Sequence, residues 1–580
     1  MRRKNRLLSI IVAVILSVSA LGFTACSKPD GGKGGRDKVL DPTKTQIQVH
    51  TYLAGFKDEW LYALEDSFEK ENENTVYEEG KKGVQVWHTG EMKKFSSDDV
   101  KNGEVDVYFM EGADYYAIKN GNALEDLTSV VTETSKYENK TIASKMTEEQ
   151  RKFFGGVTAK GQTAKYYGVP HYKGAVGLIY NVELFDSKGY YISDSETLSL
   201  ISSSNPNRSK GPDGKTGVIG GVDYSLDDGL PATYKEFLFL CSEIVKRGDT
   251  PLCWTGSFAS YYLNLLYAAL VVEYEGAEQS KLGLTFDGTA ENLVVMKNGE
   301  PVINEDGTVE TASLEITVEN GYEVFRQAGR YYALDLIKKL LNNKKYYNDK
   351  AFEPSYSQLM AERDFLKSGT DMSSDSKAYA MLVDGSWWES EATVYFTEMA
   401  KKDAKYSKQN RKFGWMPLPK ATENEVGETS VFYDYEDSVI CVKAGLAEGK
   451  KKAALDLVQY ACADRSLTEF TVTTGALKAF DYTIDENSEE YKKLSPFAKS
   501  LIEYSQTSDY FFANSNDSFY LKHRGELLCT TVNTNGDFAT PIDAFTDPKD
   551  AMSAKAFFKS SYEYWKGRNT DKFTYWESVK

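Results

Sequence analysis

The chain has 580 residues, 41% hydrophobic and 27% charged, with 69 basic against 86 acidic side chains and a formal charge of −17. These values are ordinary for a globular protein and exclude a mostly disordered chain or a polytopic membrane protein; the length suits several domains or two large lobes. The negative balance argues against nucleic acid, whose phosphates need a basic face, and His50, His88, His171 and His523 are too scattered for a His-rich metal site.

Arg2, Arg3, Lys4 and Arg6 precede an uncharged run from Leu7 to Phe23. This pattern reads as a secretory signal peptide over residues 1–25. A retained anchor helix is the alternative, because the run is at the short edge of a membrane span. The sequence Leu21-Gly-Phe-Thr-Ala-Cys26 resembles a bacterial lipobox, which implies lipidation at Cys26 and membrane anchoring through more than one acyl chain. Residues 26–44, rich in Gly, Lys, Asp and Pro, read as a flexible tether.

From residue 45 strands and helices alternate. Ile47–Tyr52 has period two and reads as a strand, and Trp60, Leu61, Leu64 and Phe68 recur at helical spacing. Val84–Trp87 and the more apolar Val105–Met110 read as further strands, with a helical stretch then ending at Gly121. Ala175–Tyr180 is another strand, and 186–230 reads as a surface insertion. Thr233-Tyr-Lys-Glu236 is a capping box opening a helix that runs to Val245 and stops at Gly248. Residues 260–272 read as a nearly all-apolar helix, 281–320 as a polar β-hairpin insertion, and Tyr331–Leu341 and Ala453–Ala463 as helices. The alternation argues an α/β architecture with mainly parallel sheets.

Apart from Cys26, the cysteines are Cys241, Cys253, Cys441, Cys462 and Cys529. Their odd number, apolar neighbours and lack of a Cys-x-x-Cys pair read as buried free thiols, with a Cys241–Cys253 disulfide left open. No zinc site is expected. Asp213-Gly-Lys and Asp306-Gly-Thr read as turns rather than calcium loops. Nucleophile elbow, Walker loop, zincin and dinucleotide motifs are all missing, so no catalytic residue, cofactor or metal is assigned. Acidic pairs such as Asp98-Asp99 and Glu489-Glu490 read as a solvated surface.

The order of segments carries more information than any one of them. Tyr167-Gly-Val-Pro170 precedes Ala175–Asn181, and Pro231–Phe237 follows; then come Ala380-Met-Leu-Val-Asp-Gly-Ser-Trp-Trp388, Phe413–Pro419 and Thr474–Ala479. This series resembles the extracellular solute-binding proteins of family 1, the maltodextrin-binding-like receptors of carbohydrate ABC importers. The resemblance implies a two-lobed periplasmic-binding-protein-like α/β fold with three hinge crossings, near 175–181, near 431–439 and after Ala479, and a ligand cleft between the lobes. The N-terminal lobe would be 45–175 plus 437–485, and the C-terminal lobe 176–436 plus 486–580.

The resemblance also implies site residues. Trp387 matches the position at which the family stacks a sugar ring, whose apolar C–H face an aromatic plane covers; Trp388 is its neighbour. Tyr261 aligns with a sugar-contacting Tyr, and Trp254 ends a strand expected to face the cleft. On the other lobe Tyr52 ends the first strand, and the strand ending at Met110 leads into Glu111-Gly-Ala-Asp114, whose acids would accept from sugar hydroxyls. Met110 stands where the family has an aromatic, and Lys57 and Asp58 loosely match a charged pair. Tyr520 falls in a segment that replaces a Trp-bearing one. For each aromatic the competing role is core packing. The implied protein is a monomeric, lipid-anchored receptor on the outer face of the cytoplasmic membrane, handing an oligosaccharide to permease subunits. A non-sugar solute on the same fold and a secreted glycan-degrading enzyme are the alternatives.

Overall fold

The computed structural model describes residues 38–567 apart from 54, 112–114, 157–161, 194–197, 201–217, 220–221, 224–228, 374–376, 436–437, 515–530 and 533–537. Cys26, Asp114, Tyr520 and Cys529 therefore lie outside the described residues, as does most of the 186–230 insertion.

Two central sheets organise the chain. In the first, the order is Val84–Gly90, Thr45–Thr51, Val107–Glu111, Ser438–Val442, Val169–Pro170. In the second it is Phe413–Met416, Val176–Asn181, Tyr379–Gly385, Thr250–Cys253. Trp60, Leu61, Leu64 and Phe68 line the buried face of the helix Glu59–Glu71, as their spacing predicts.

The sheets are mixed rather than mainly parallel, and the reason lies in the crossings. Thr45–Thr51 runs parallel to both of its neighbours. Ser438–Val442, by contrast, enters the first sheet from the second with Ser438 opposite Glu111, at the carboxyl end of its neighbour, and so runs antiparallel. Val176–Asn181 does the same in the second sheet, with Val176 opposite Gly385. The connecting segments thus sit at the carboxyl ends of strands in both sheets.

Those segments are tied together. The Gly174 N–H donates to Asp434 Oδ1 at 3.0 Å, the Tyr435 N–H to the Gly174 carbonyl at 3.3 Å, and the Tyr510 hydroxyl to the other Asp434 oxygen. Tyr172–Lys173 pairs with Leu477–Lys478, and Val431–Asp434 with Asp509–Phe512.

The helix Tyr234–Lys246 opens with the expected capping box: the Glu236 N–H donates to Thr233 Oγ1 at 3.2 Å, and the Glu236 carboxylate accepts from the Thr233 N–H. The apolar helix is longer than its sequence signal, Ala259–Thr285, because Gly276 at φ +73° joins two helical pieces across a kink. Gly288–Val294 and Thr311–Ile316 form the expected hairpin insertion. Its own small core includes Phe286, Leu293, Ile316 and Phe325, with Phe325 stacked on Trp565 at 4.5 Å. Cys241, Cys253, Cys441 and Cys462 are buried free thiols, so the Cys241–Cys253 bridge does not form.

Candidate functional site: the seam between the sheets

The loop after Thr45–Thr51 meets the turn after Tyr379–Gly385. The Gly55 N–H donates to Glu391 Oε1 at 3.2 Å, and Lys57 Nζ to the Glu391 carbonyl at 3.3 Å. Trp387 lies in this contact, 8% exposed. A Cβ on Gly385 would come within 2.2 Å of the indole, and one on Gly55 within 3.2 Å of Trp387 Cβ. Two glycines on facing walls therefore make room for one tryptophan, and Gly55, at φ +64°, also needs the left-handed freedom of glycine.

The structure brings together part of the expected set. Tyr261, 47% exposed at the start of its helix, shares a 2.7 Å hydrogen bond with the Tyr435 hydroxyl. Tyr435 in turn meets Trp387 edge-on at 6.4 Å. On the first sheet, Glu111 is half-buried and its Oε1 accepts from the Tyr172 hydroxyl at 3.4 Å. Tyr172 packs on Phe56, next to Gly55, with ring centroids 4.6 Å apart. Tyr52, half-buried, ends the same sheet, its N–H on the Phe109 carbonyl at 3.0 Å. Lys57 reaches the seam; Asp58 instead pairs with His88 at 3.3 Å.

Two expected tryptophans are not at the seam. Trp388, 0% exposed, is surrounded by Phe365, Phe396, Phe413 and Phe497. It is the first residue of the helix Trp388–Glu391, and its side chain enters the core. Trp254, 1% exposed, gives its indole N–H to the Ala351 carbonyl and packs on Tyr347. Its strand is the edge of the second sheet, and the Asn348–Phe352 segment covers its end.

Sequence reasoning passed over Tyr172, Tyr435 and Tyr262. It also passed over a group of carboxylates beneath Trp387: Glu362, Asp384 and Glu391, each offering an oxygen within 4.8 Å of the others. Burial, followed by the Glu391 charge, pushes Glu362 and Asp384 well above the usual carboxylate range; burial also raises Glu391. Tyr262 hydrogen-bonds both Trp387 and Asp384, linking the indole to the acids. The available signal was Glu362 itself. In the helix Gln358–Lys367 it shares the buried stripe with Ala361, Phe365 and Leu366, where a charge is out of place.

The seam can therefore present aromatic faces, tyrosine hydroxyls and carboxylate oxygens to a polar, non-ionic molecule. Two small hollows, one near Trp60, Phe470 and Lys478 and one among Leu178, Phe237 and Leu266, lie elsewhere, each with room for about one water.

The model of the bacterial extracellular solute-binding protein family matches residues 66–495. Among solved structures, a chitin oligosaccharide binding protein is 15% identical over 91% of this chain and 99% of its own, with a TM-score of 0.50. RafE in complex with raffinose is 14% identical over 91% and 100%, with a TM-score of 0.48. Maltose-bound MalE3 of T. maritima is 13% identical over 90% and 99%, with a TM-score of 0.47. No curated protein sequence matches. The likeness to the first of these structures is one of fold, the two-lobed periplasmic-binding-protein type.

Proposed function

The chain belongs to the bacterial extracellular solute-binding protein family, non-catalytic receptors that serve ABC importers, and on that premise we propose that it captures an oligosaccharide at the seam between its sheets. The observation that carries this reading is Trp387, held between Gly55 and Gly385 with Tyr435 and Tyr261 beside it. An aromatic plane covers the C–H face of a sugar ring, while Tyr261, Glu111 and Tyr172 supply hydroxyl and carboxylate partners for sugar hydroxyls. Tyr52 borders the same space, and Asp114 and Tyr520 are further candidates by sequence position.

In this reading the lobes are 45–175 with 437–485 and 176–436 with 486–580. They part and close about the Gly174–Asp434 tie. Residues 1–25 are removed, Cys26 carries the lipid, and the receptor works as a monomer at the outer face of the cytoplasmic membrane beside its permease. An acyl group on Cys26 by mass spectrometry tests the anchor.

The test of the ligand is a thermal-shift screen of neutral oligosaccharides, polyols and peptides, followed by calorimetric titration and chromatography of the recovered ligand. A binder present at about 100 times its Kd stabilises the folded chain by about 2.7 kcal/mol. Stabilisation by an oligosaccharide that returns uncut supports the proposal. A response confined to peptides or polyols, or cleavage of the sugar, overturns it.

A further inference from the structure

We infer that Glu362, Asp384 and Glu391 form a site for a hard divalent cation of calcium's class, placed beneath Trp387 and joined to lobe contact through Glu391. The three acids come from separate elements: the helix Gln358–Lys367, the strand Tyr379–Gly385 and the short helix Trp388–Glu391. They are distant in sequence and converge only in the fold.

The observation beyond their proximity is the state of Glu362. Its side chain is 0% exposed and neither carboxylate oxygen has a hydrogen-bond partner outside the acidic cluster, within which it faces Glu391. A buried carboxylate without a donor is costly and needs a neutralising group in the space it faces. That space is bounded by the other two acids. Glu391 Oε2 is also buried without a partner, while Oε1 is turned to the Gly55 N–H. Asp384 Oδ1 accepts from the Gly385 N–H at 2.7 Å. The nearby cations are directed elsewhere: Lys57 Nζ donates to the Glu391 carbonyl, and Arg363 pairs with Asp364.

The spacing accommodates a calcium-sized ion, and the donor set narrows the class. Three atoms no more than 4.8 Å apart have a common centre at most about 2.8 Å from each, since the centre of an equilateral triangle lies at its side divided by √3. Calcium–oxygen bonds are about 2.3–2.6 Å and tolerate irregular geometry, whereas magnesium needs about 2.1 Å and near-octahedral order. A donor set made only of oxygen disfavours zinc and copper. Because Glu391 holds both the ion and the Gly55 loop, filling the site would fix the carboxylate that receives the N–H from the other wall.

The experiment uses the whole chain, stripped with a chelator, and titrated with calcium by calorimetry and with terbium by luminescence excited through tryptophan. Expected is one calcium per chain with a Kd up to about 1 mM, as for extracellular calcium modules, and terbium emission that calcium displaces. Glu362→Gln keeps the shape and leaves a neutral group in the buried position, so the metal-free variant melts no lower than the wild type while calcium affinity falls by about tenfold or more. Glu489→Gln, a change on an exposed acidic pair, leaves the affinity unchanged. No saturable binding by the wild type, or equal binding by Glu362→Gln, overturns the proposal and leaves protons as the neutralising groups. The sugar screen is a separate measurement, so the two readings fail independently.

Discussion

Each wall of the seam has a buried ionisable cluster behind it, and the two are built in opposite ways. Behind Tyr172 on the first sheet, Lys478 Nζ lies 2.5 Å from His171 Nδ1 and over the rings of Trp60 and Phe470. Beneath Trp387 on the second, three carboxylates converge and Glu362 has no partner outside them. The basic group is satisfied within its own core; the acidic group is left open beside the contact between the walls. A buried charge that is fully partnered serves the fold, whereas an incompletely partnered one at a moving contact marks a site. The comparison can be broken at three places.

The largest effect separates the adjacent tryptophans. Trp388→Ala empties a site wholly inside the core and should cost about 3–5 kcal/mol of stability, read as a lower denaturant midpoint without ligand. Trp387→Ala removes a side chain buried in part by the opposite wall, contact that is given up when the lobes part. It should cost roughly 2–4 kcal/mol of ligand binding, a loss of about 30- to 1000-fold, with the unliganded melt nearly kept. Calorimetric titration beside thermal melts decides. Equal collapse of stability in both variants would place Trp387 in the core as well.

That contrast also marks how far sequence reading reached. The Trp60–Phe68 helix, the hairpin insertion and the strand delivering Asp384–Trp388 were legible because periodicity and turn residues are local. Sheet direction was not, because Ser438–Val442 and Val176–Asn181 are reversed by crossings that span hundreds of residues. An aromatic at a strand end does not reveal its facing: Trp387 and Trp388 differ by one position and enter different regions, and Trp254 is covered by a segment from nearly a hundred residues on. Glu362, Asp384 and Glu391 carry no common motif, so only the buried stripe around Glu362 could have drawn notice.

The first wall can be tested by pH. Burial pushes Lys478 down to about 7, and burial followed by the Lys478 charge holds His171 well below the usual histidine range. An unfolded lysine titrates near about 10.4. Between pH 7 and pH 10 the unfolded chain therefore holds a proton that the folded chain lacks, and stability rises with pH across that window. Below pH 7 both states hold the proton and this contribution is flat. Lys478→Met should remove a slope of up to about 1.4 kcal/mol per pH unit, read from urea midpoints of both proteins at several pH values. A slope unchanged by the substitution would show that Lys478 stays charged in the fold and that burial does not lower its titration.

The smallest effect concerns the glycine through which the walls meet. Gly55 adopts φ +64°, where a side chain costs about 1–2 kcal/mol, and its added Cβ would lie 3.2 Å from Trp387 Cβ and 3.3 Å from Cγ. The backbone cost falls on the loop whether the lobes touch or not, but the crowding arises only when Trp387 is opposite. Gly55→Ala should therefore lose stability modestly and lower ligand affinity about tenfold, which corresponds to about 1.4 kcal/mol. Gly248→Ala separates the two contributions. That residue has φ +90° with nothing within 4 Å of an added Cβ, so it carries backbone strain without crowding, and it should lose stability while keeping affinity. Melting temperatures and calorimetric titrations of the two variants give the answer side by side. Equal affinity in both would mean that the Gly55–Trp387 contact contributes nothing to holding the ligand, and the seam's second wall would then act without its first.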